Sequence, residues 1–437
     1  MHQKISRRAV LSWAMYDWAN SAFATTVIAG FFPIFFKDYW SQGTEPTEST
    51  FWLGSSVATA SLIVAILAPL LGAMADRGGA KKRSLLLCAG LGILATGGLF
   101  WVGQRHWLTA ALLYVLGTVG FLGSLIFYDA LIVSVSESST VERVSARGYA
   151  LGYLGGGLLF LSNVIAVERP GLFGLSGPAD AVRWAFVSVA LWWAVFSLPL
   201  WAFVPEPPGG RPMSCVQSAR EGFGQVIQTL YEIRKLKVVS RFLLAYWFYI
   251  DGVDTIITMA VDYGKSLGFG TTELMTALLV VQFVGFPFTY VMGYVAHKWG
   301  TKRTILLCLM GYMLVTILGA QLDLKPYRLC GVEISKFYTL ACMVAMVQGG
   351  AQALSRALYA RLIPPDRAAE FFGFYNMLSK FAAIMGPMLI GTVGRLTGKP
   401  RWGMQSVVVL FIIGALILLR VNEPGVEGAD RRPLAGG

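Results

Sequence analysis

Twelve apolar runs, each about 18 residues or longer, divide this chain from one end to the other, at 9–36, 51–75, 84–103, 107–135, 148–167, 182–204, 239–262, 271–296, 304–322, 337–360, 373–395 and 402–420. Each is long enough to cross a hydrocarbon core of about 30 Å as a helix, whereas a strand of a membrane barrel needs only about 10 alternating residues. The chain is 14% charged and 55% hydrophobic, against roughly a quarter charged for a soluble protein. These runs predict an all-α membrane protein of twelve transmembrane helices. The basic start (Lys4, Arg7, Arg8) imitates a leader peptide, but its apolar run continues to Phe36 without a small-residue cleavage pattern, so it reads as span 1.

A loop signature occurs twice, between spans 2 and 3 and between spans 8 and 9. The first copy is Gly72-Ala-Met-Ala-Asp76-Arg77-Gly-Gly79-Ala-Lys81-Lys82-Arg83; the second is Gly293-Tyr-Val-Ala-His297-Lys298-Trp-Gly300-Thr-Lys302-Arg303. Both run on into Ser84-Leu-Leu-Leu-Cys88 and Thr304-Ile-Leu-Leu-Cys308. Repetition at half the chain length means two homologous halves, which in a membrane protein points to a transporter. The expected organisation is a six-helix bundle over 1–204, a linker with an amphipathic segment over 205–238, and a second bundle with a short polar tail over 239–437. Pro205-Glu-Pro-Pro-Gly-Gly cannot continue a helix, and Arg234, Lys235 and Lys237 suit an anionic inner leaflet.

With both termini inside, cytoplasmic connections and adjoining span ends hold 23 Lys and Arg against 11 outside, while Arg356 and Lys380 lie within spans. That bias predicts cytoplasmic termini. The positive excess sits in short connections, so it is not a nucleic-acid signal. The five cysteines have no paired spacing and His2, His106 and His297 are far apart, so no disulfide, metal or cofactor site is expected. No catalytic constellation is legible, which argues against an enzyme.

Charge inside spans is the remaining anomaly, because an acid at a span centre costs roughly 2.5–3.5 kcal/mol. Span 1 carries Asp17 with Asn20 and Ser21; span 7 carries Asp251 with Asp254 and Thr255; in each, an acid is followed at i+3 and i+4 by polar groups on one helical face. Span 4 adds Asp129, span 10 adds Gln348, Gln352, Ser355 and Arg356, and span 11 adds Lys380. Asp129-Ala-Leu aligns with Arg356-Ala-Leu, setting an acid in one half against a base in the other. The polar stripes are expected to face a water-filled cavity between the halves. The plainer alternative is helix locking, with Arg356 neutralising Asp251 or Asp254 and Lys380 pairing with Glu370. Gly148, Gly152 and Gly156 form a smooth ridge for close packing.

With these residues in view, the chain resembles the major facilitator superfamily in its six-plus-six layout and its twin loops. Within it, Tyr16-Asp-Trp-Ala-Asn-Ser-Ala-Phe23, Gly148-Tyr-Ala-Leu-Gly-Tyr-Leu-Gly-Gly156, Gly349-Gly-Ala-Gln-Ala-Leu-Ser-Arg356 and Glu370-Phe-Phe-Gly-Phe-Tyr375 resemble the branch of the vacuolar amino-acid effluxer of autophagy and its bacterial relatives. The resemblance implies alternating access in a bacterial inner membrane by a protein working as a monomer among membrane lipids. It makes Gly72, Asp76, Arg77, Gly79 and Lys81, with Gly293, His297, Lys298 and Gly300, inner gating loops. Two departures stand out: Ala80 where a base is usual, and His297 in place of the acid. The implied cargo is a small-molecule substrate, a zwitterionic metabolite such as an amino acid, exported or exchanged. Acids would meet its ammonium, bases its carboxylate, and Asp17 or Asp129 would carry a coupling proton. The competing readings are an exporter of amphipathic drugs or lysolipids, and a non-transporting receptor or chaperone on a transporter scaffold; loops that serve only to fix topology are the plain reading of the twin signature.

Overall fold

Backbone N–H and C=O groups find no water in a bilayer core, so a spanning segment must satisfy them within itself. The computed structural model describes residues 6–206, 215–329, 332–382 and 385–423. Among these, twelve helices are long and apolar enough to cross a membrane: Arg7–Trp40, Glu48–Asp76, Lys81–Trp101, Trp107–Val135, Val141–Glu168, Pro178–Phe203, Lys237–Val261, Thr272–Trp299, Thr301–Ala320, Lys336–Leu362, Pro365–Thr397 and Arg401–Leu419. They are spans 1 to 12 below. Each overlaps the apolar run expected for it. Span 11 comprises helices Ala368–Ala382 and Met385–Thr397.

The helix ends follow local chemistry. Ser6 caps span 1 by accepting the Arg8 N–H. Gly79 closes the helix of span 2 in a left-handed conformation (φ 59°), its N–H on the Ala75 carbonyl, a bond the Ala80 N–H shares at 3.2 Å. Span 1 is not α-helical throughout: Phe23–Phe31 and Phe36–Trp40 are π-helical, so that the Phe32 N–H reaches the Val27 carbonyl five residues back. Pro33, in the α-helical turn Phe32–Phe35 between them, supplies no N–H and crowds the carbonyl four residues before it. Pro69, Pro287 and Pro199 each lie inside a helix.

Two features fall outside the expected spans. A short antiparallel hairpin, Tyr327–Leu329 against Val332–Ile334, lies between spans 9 and 10. At its base Lys336 pairs with Asp323 at 2.7 Å, and that ammonium holds the Asp323 carboxyl below its ordinary range. The linker contains helix Cys215–Lys235, with Thr229 and Ile233 buried and Ile227, Leu230 and Tyr231 exposed. Residues 207–214 of the linker and the polar tail beyond Glu423 lie outside the described residues.

Contacts divide the chain into two compact units that exchange two helix ends. Unit 1 is Met1–Val135, Leu151–Val226 and Asp366–Met377; unit 2 is Ser136–Ala150, Ile227–Pro365 and Leu378–Gly437. The start of span 5 therefore packs within unit 2, and the start of span 11 within unit 1.

In unit 1, span 5 lies directly on span 1. A Cβ at Gly152 would stand 2.6 Å from the Ser21 hydroxyl, one at Gly155 2.7 Å from the Trp18 carbonyl, and one at Gly156 3.0 Å from the Ser21 carbonyl. The Trp13 and Tyr128 rings stack with centroids 4.4 Å apart, joining spans 1 and 4. In unit 2, span 12 presses Phe411 on Gly252 of span 7, and the Phe411 ring stacks on Tyr312 of span 9. Gly155→Leu must displace backbone as well as the Trp18 ring, and overpacking of this kind costs about 1–3 kcal/mol. Its melting temperature in detergent is expected to fall clearly below that of Gly90→Leu, whose Cβ meets nothing within 4 Å; equal melting temperatures would refute the close packing of spans 1 and 5.

Candidate functional site

The first loop is built around Asp76. Its Oδ1 pairs with Lys81 Nζ at 2.6 Å, both side chains nearly buried. Its Oδ2 accepts the N–H of Glu370 at 2.7 Å, a donor that a helix start leaves free. Gly72, one turn earlier, allows this approach, since a Cβ there would lie 2.2 Å from the Ala369 carbonyl oxygen. Arg77 sits in the last turn of the span 2 helix. Glu370 is itself held by Arg367 at 3.0 Å.

The second loop uses other chemistry on a similar frame. Gly293 leaves no room beside Ala146, whose Cβ would be 2.3 Å away. His297 meets the Arg143 guanidinium through Nε2. Lys298 lies over the Tyr294 ring at 4.7 Å. Gly300 closes the span 8 helix with φ 97°.

The two copies are offset by one residue. Lys82 donates from Nζ to the Trp201 and Val204 carbonyls, and its N–H goes to Glu206. Lys302 does the same with the Leu419 and Val421 carbonyls, and its N–H goes to Glu423. Lys82 is thus the counterpart of Lys302, in the register that sets Ser84–Cys88 against Thr304–Cys308, and the first loop carries one inserted residue. The extra position gives Asp76 its partner Lys81. Thr301, at the equivalent place, instead donates to Glu142 at 2.8 Å.

Glu142 belongs to a buried charge cluster in unit 2. Arg361 bonds Glu142 at 2.9 Å and Glu423 at 2.6 Å, while Glu423 also accepts the N–H groups of Thr301 and Lys302. Burial alone would raise the Glu423 carboxyl, but Arg361 and the two N–H groups outweigh it and hold the group below the ordinary glutamate range. One turn before Arg361, Arg356 is 1% exposed. It donates to the hydroxyl of Ser145 at 2.9 Å and to its carbonyl at 3.0 Å, and stands over the Tyr149 ring at 4.4 Å.

The acids within the spans are fixed separately in each unit. In unit 1, Asp17 accepts the Tyr128 hydroxyl at 2.7 Å, and Asp129, the next residue, accepts from Asn376 at 3.2 Å. Asn20 is buried one turn beyond Asp17, and its amide nitrogen makes no hydrogen bond among the described residues. In unit 2, Asp251 accepts the Gly386 N–H at 3.0 Å and the Thr255 hydroxyl at 3.4 Å, so Arg356 is not its partner. Asp254 lies in the field of half-buried Lys380, whereas Glu370 bonds Arg367. Gln352 is half-buried. Among the described residues no three His, Cys, Asp or Glu side chains cluster to hold a metal.

Several partners were not singled out from sequence: Asn376, Tyr128, Ser145, Glu142, Arg361, and the pair Glu206 and Glu423. The last two carry a readable signal, Val204-Pro-Glu206-Pro and Val421-Asn-Glu423-Pro, repeated where spans 6 and 12 end. The others are ordinary polar residues whose partners lie far away in the chain.

Two outcomes follow. Removing one partner of a buried ion pair costs about 3–5 kcal/mol, so Asp76→Asn should free the ends of spans 2 and 11. Ala369→Cys, buried at that contact, is then expected to react with an impermeant maleimide about tenfold faster or more in the Asp76→Asn background; unchanged labelling would remove the role given to Asp76. Because the Glu423 carboxyl is depressed, its stabilising contribution is complete above the ordinary glutamate range and is lost as pH falls through its own lower value. The melting temperature gap between the natural protein and Glu423→Gln should be constant at neutral pH and close on acidification; a gap that persists in acid would mean the charge is unused.

The sequence matches the family described as "Vacuole effluxer Atg22 like" over residues 5–134 and 133–426. It is 38% identical over 417 residues to the MFS-type transporter YxiO of Bacillus subtilis (strain 168), covering 94% of each chain. Autophagy-related protein 22 of Coccidioides immitis (strain RS) is 22% identical, with 96% of this chain and 87% of that protein covered. The fold is that of the human organic anion transporter MFSD10 (TM-score 0.70, 14% identity, 95% of this chain and 100% of that one). It is also that of the proton:xylose symporter XylE (TM-score 0.69, 16% identity, 97% of each). Matched by the family over residues 5–134 and 133–426 and 38% identical to an MFS-type transporter over 94% of its length, the chain belongs to the Atg22-like family of major facilitator superfamily transporters.

Proposed function

We propose that this transporter moves a small zwitterionic solute, with amino acids the leading class, by efflux or exchange across the bacterial plasma membrane, both termini cytoplasmic. The observation that carries the reading is the buried guanidinium of Arg356, held by a hydroxyl, a carbonyl and an aromatic ring. In this reading a solute carboxylate takes the place of Ser145 on that guanidinium, the side chain best suited to grip a carboxylate with two parallel N–H bonds. Asp17 and Asp129 are buried acids of the kind that take an ammonium. The family description names an effluxer, which supports outward movement. In the same reading the loops gate: Asp76 with Lys81, and Arg361 with Glu142 and Glu423, are the contacts that open and re-form in the cycle.

Counterflow of labelled amino acids into proteoliposomes tests this directly, with and without a pH gradient. At least one amino acid is expected to accumulate. Asp17→Asn and Arg356→Ala should each raise its half-saturating concentration about tenfold or more, the effect of losing a hydrogen bond to a charged group. No counterflow of any amino acid by protein that still unfolds cooperatively would sink the substrate class, and indifference to the gradient would sink proton coupling.

A further inference from the structure

We propose that Asp251 is a proton-binding site of this transporter, seated between spans 7 and 11. The side chain is 0% exposed. Its two oxygens are treated differently: Oδ1 accepts the Gly386 N–H and the Thr255 hydroxyl, while Oδ2 meets no donor among the described residues. An ionised carboxylate presents about four lone-pair sites on two equivalent oxygens, and burying it with one oxygen bare is costly. A carboxylic acid matches the arrangement, with Oδ1 as the doubly bonded carbonyl and Oδ2 as the hydroxyl.

The charge count agrees. Asp254, one turn further on span 7, is the charged group that acts on Asp251, and Lys380 of span 11 is the cation that acts on Asp254. Span 12 offers Phe411 to Gly252 and Gly414 to Tyr249; span 10 offers Ser355 to Tyr249 at 2.6 Å. Arg356 is engaged by Ser145 and Tyr149. Two acids and one base in a low-dielectric setting are neutral only when one acid holds a proton.

The site is also coupled to a helix. A Cβ at Gly386 would stand 1.8 Å from the Thr255 hydroxyl oxygen, so the backbone of span 11 is pressed against the acid. Pro387 follows and has no N–H to offer. When the proton leaves Asp251 for water, giving a carboxylate and a hydronium ion, the bare oxygen becomes a second anion beside Asp254, whose cation is Lys380 of span 11. Proton release thereby changes what holds span 11 to span 7.

Infrared spectra of the purified protein at neutral pH test this without any solute, so failure here leaves the amino-acid reading intact, and the reverse holds too. The C=O stretch of a protonated carboxyl is expected, and Asp251→Asn should remove it. Thr255→Val, which takes one donor from the carbonyl oxygen, should keep the band and shift it to higher frequency; this mild variant decides the matter if Asp251→Asn does not fold. Lys380→Met should leave the band in place and add a second from Asp254. A full band in folded Asp251→Asn, or a band whose frequency ignores Thr255→Val, overturns the proposal.

Discussion

A helix start in a membrane protein exposes N–H groups that nothing in the helix can satisfy, and this chain answers them with carboxylates. Asp76 takes the N–H of Glu370, Glu206 that of Lys82, and Glu423 those of Thr301 and Lys302. Each contact joins a charged side chain to the positive end of a helix dipole, and each ties together elements distant in sequence. Spans 3 and 9 are anchored this way to the segments after spans 6 and 12, and the start of span 11 to the end of span 2. The close approach of Gly72 to Ala369, the depressed Glu423 carboxyl and the placement of Arg361 all depend on these seats.

The spans were legible because a bilayer leaves a chain few options: a continuous apolar run of helix length has one stable form. The duplication was legible as well, from loops whose glycines and bases recur. What could not be read were partners. Asp129 is bonded by Asn376 across almost 250 positions, and nothing local marks that asparagine. Asp251 looked like a candidate for Arg356, since opposite charges in spans suggest pairing, yet it takes a backbone N–H instead. That donor is available because Gly386 lies in the first turn of the helix Met385–Thr397, where N–H groups have no partner within the helix, an effect of helix position with no signature in residue type. The π-helical turns of span 1 were equally hidden, because Pro33 marks a disturbance without specifying its form.

The inserted residue in the first loop explains why the two copies diverge in chemistry. With Ala80 added, Lys81 turns back on Asp76 and a compact ion pair closes the turn. Without it, Thr301 occupies that place, and a hydroxyl cannot neutralise an acid at position 297. A histidine there needs no such partner and meets Arg143 through its ring instead. The charge that the second loop lacks is concentrated in Glu142, Arg361 and Glu423 nearby. His297 is therefore part of a different solution to the same packing problem rather than a decayed copy of Asp76.

On the gating reading, the energetics of these ion pairs have a useful asymmetry. A buried pair gains in mutual attraction roughly what its ions lose in hydration, so its net contribution is small, while removing one partner alone is expensive. A helix contact closed by Asp76 and Lys81 can therefore open at little net cost if water reaches both groups at once. It resists any distortion that exposes only one. Apolar surface of the same size would hold the closed form more firmly, with no comparable compensation on opening. Buried charge at the ends of spans 2, 10 and 11 is thus suited to an equilibrium that must stay nearly balanced, which is what alternating access requires.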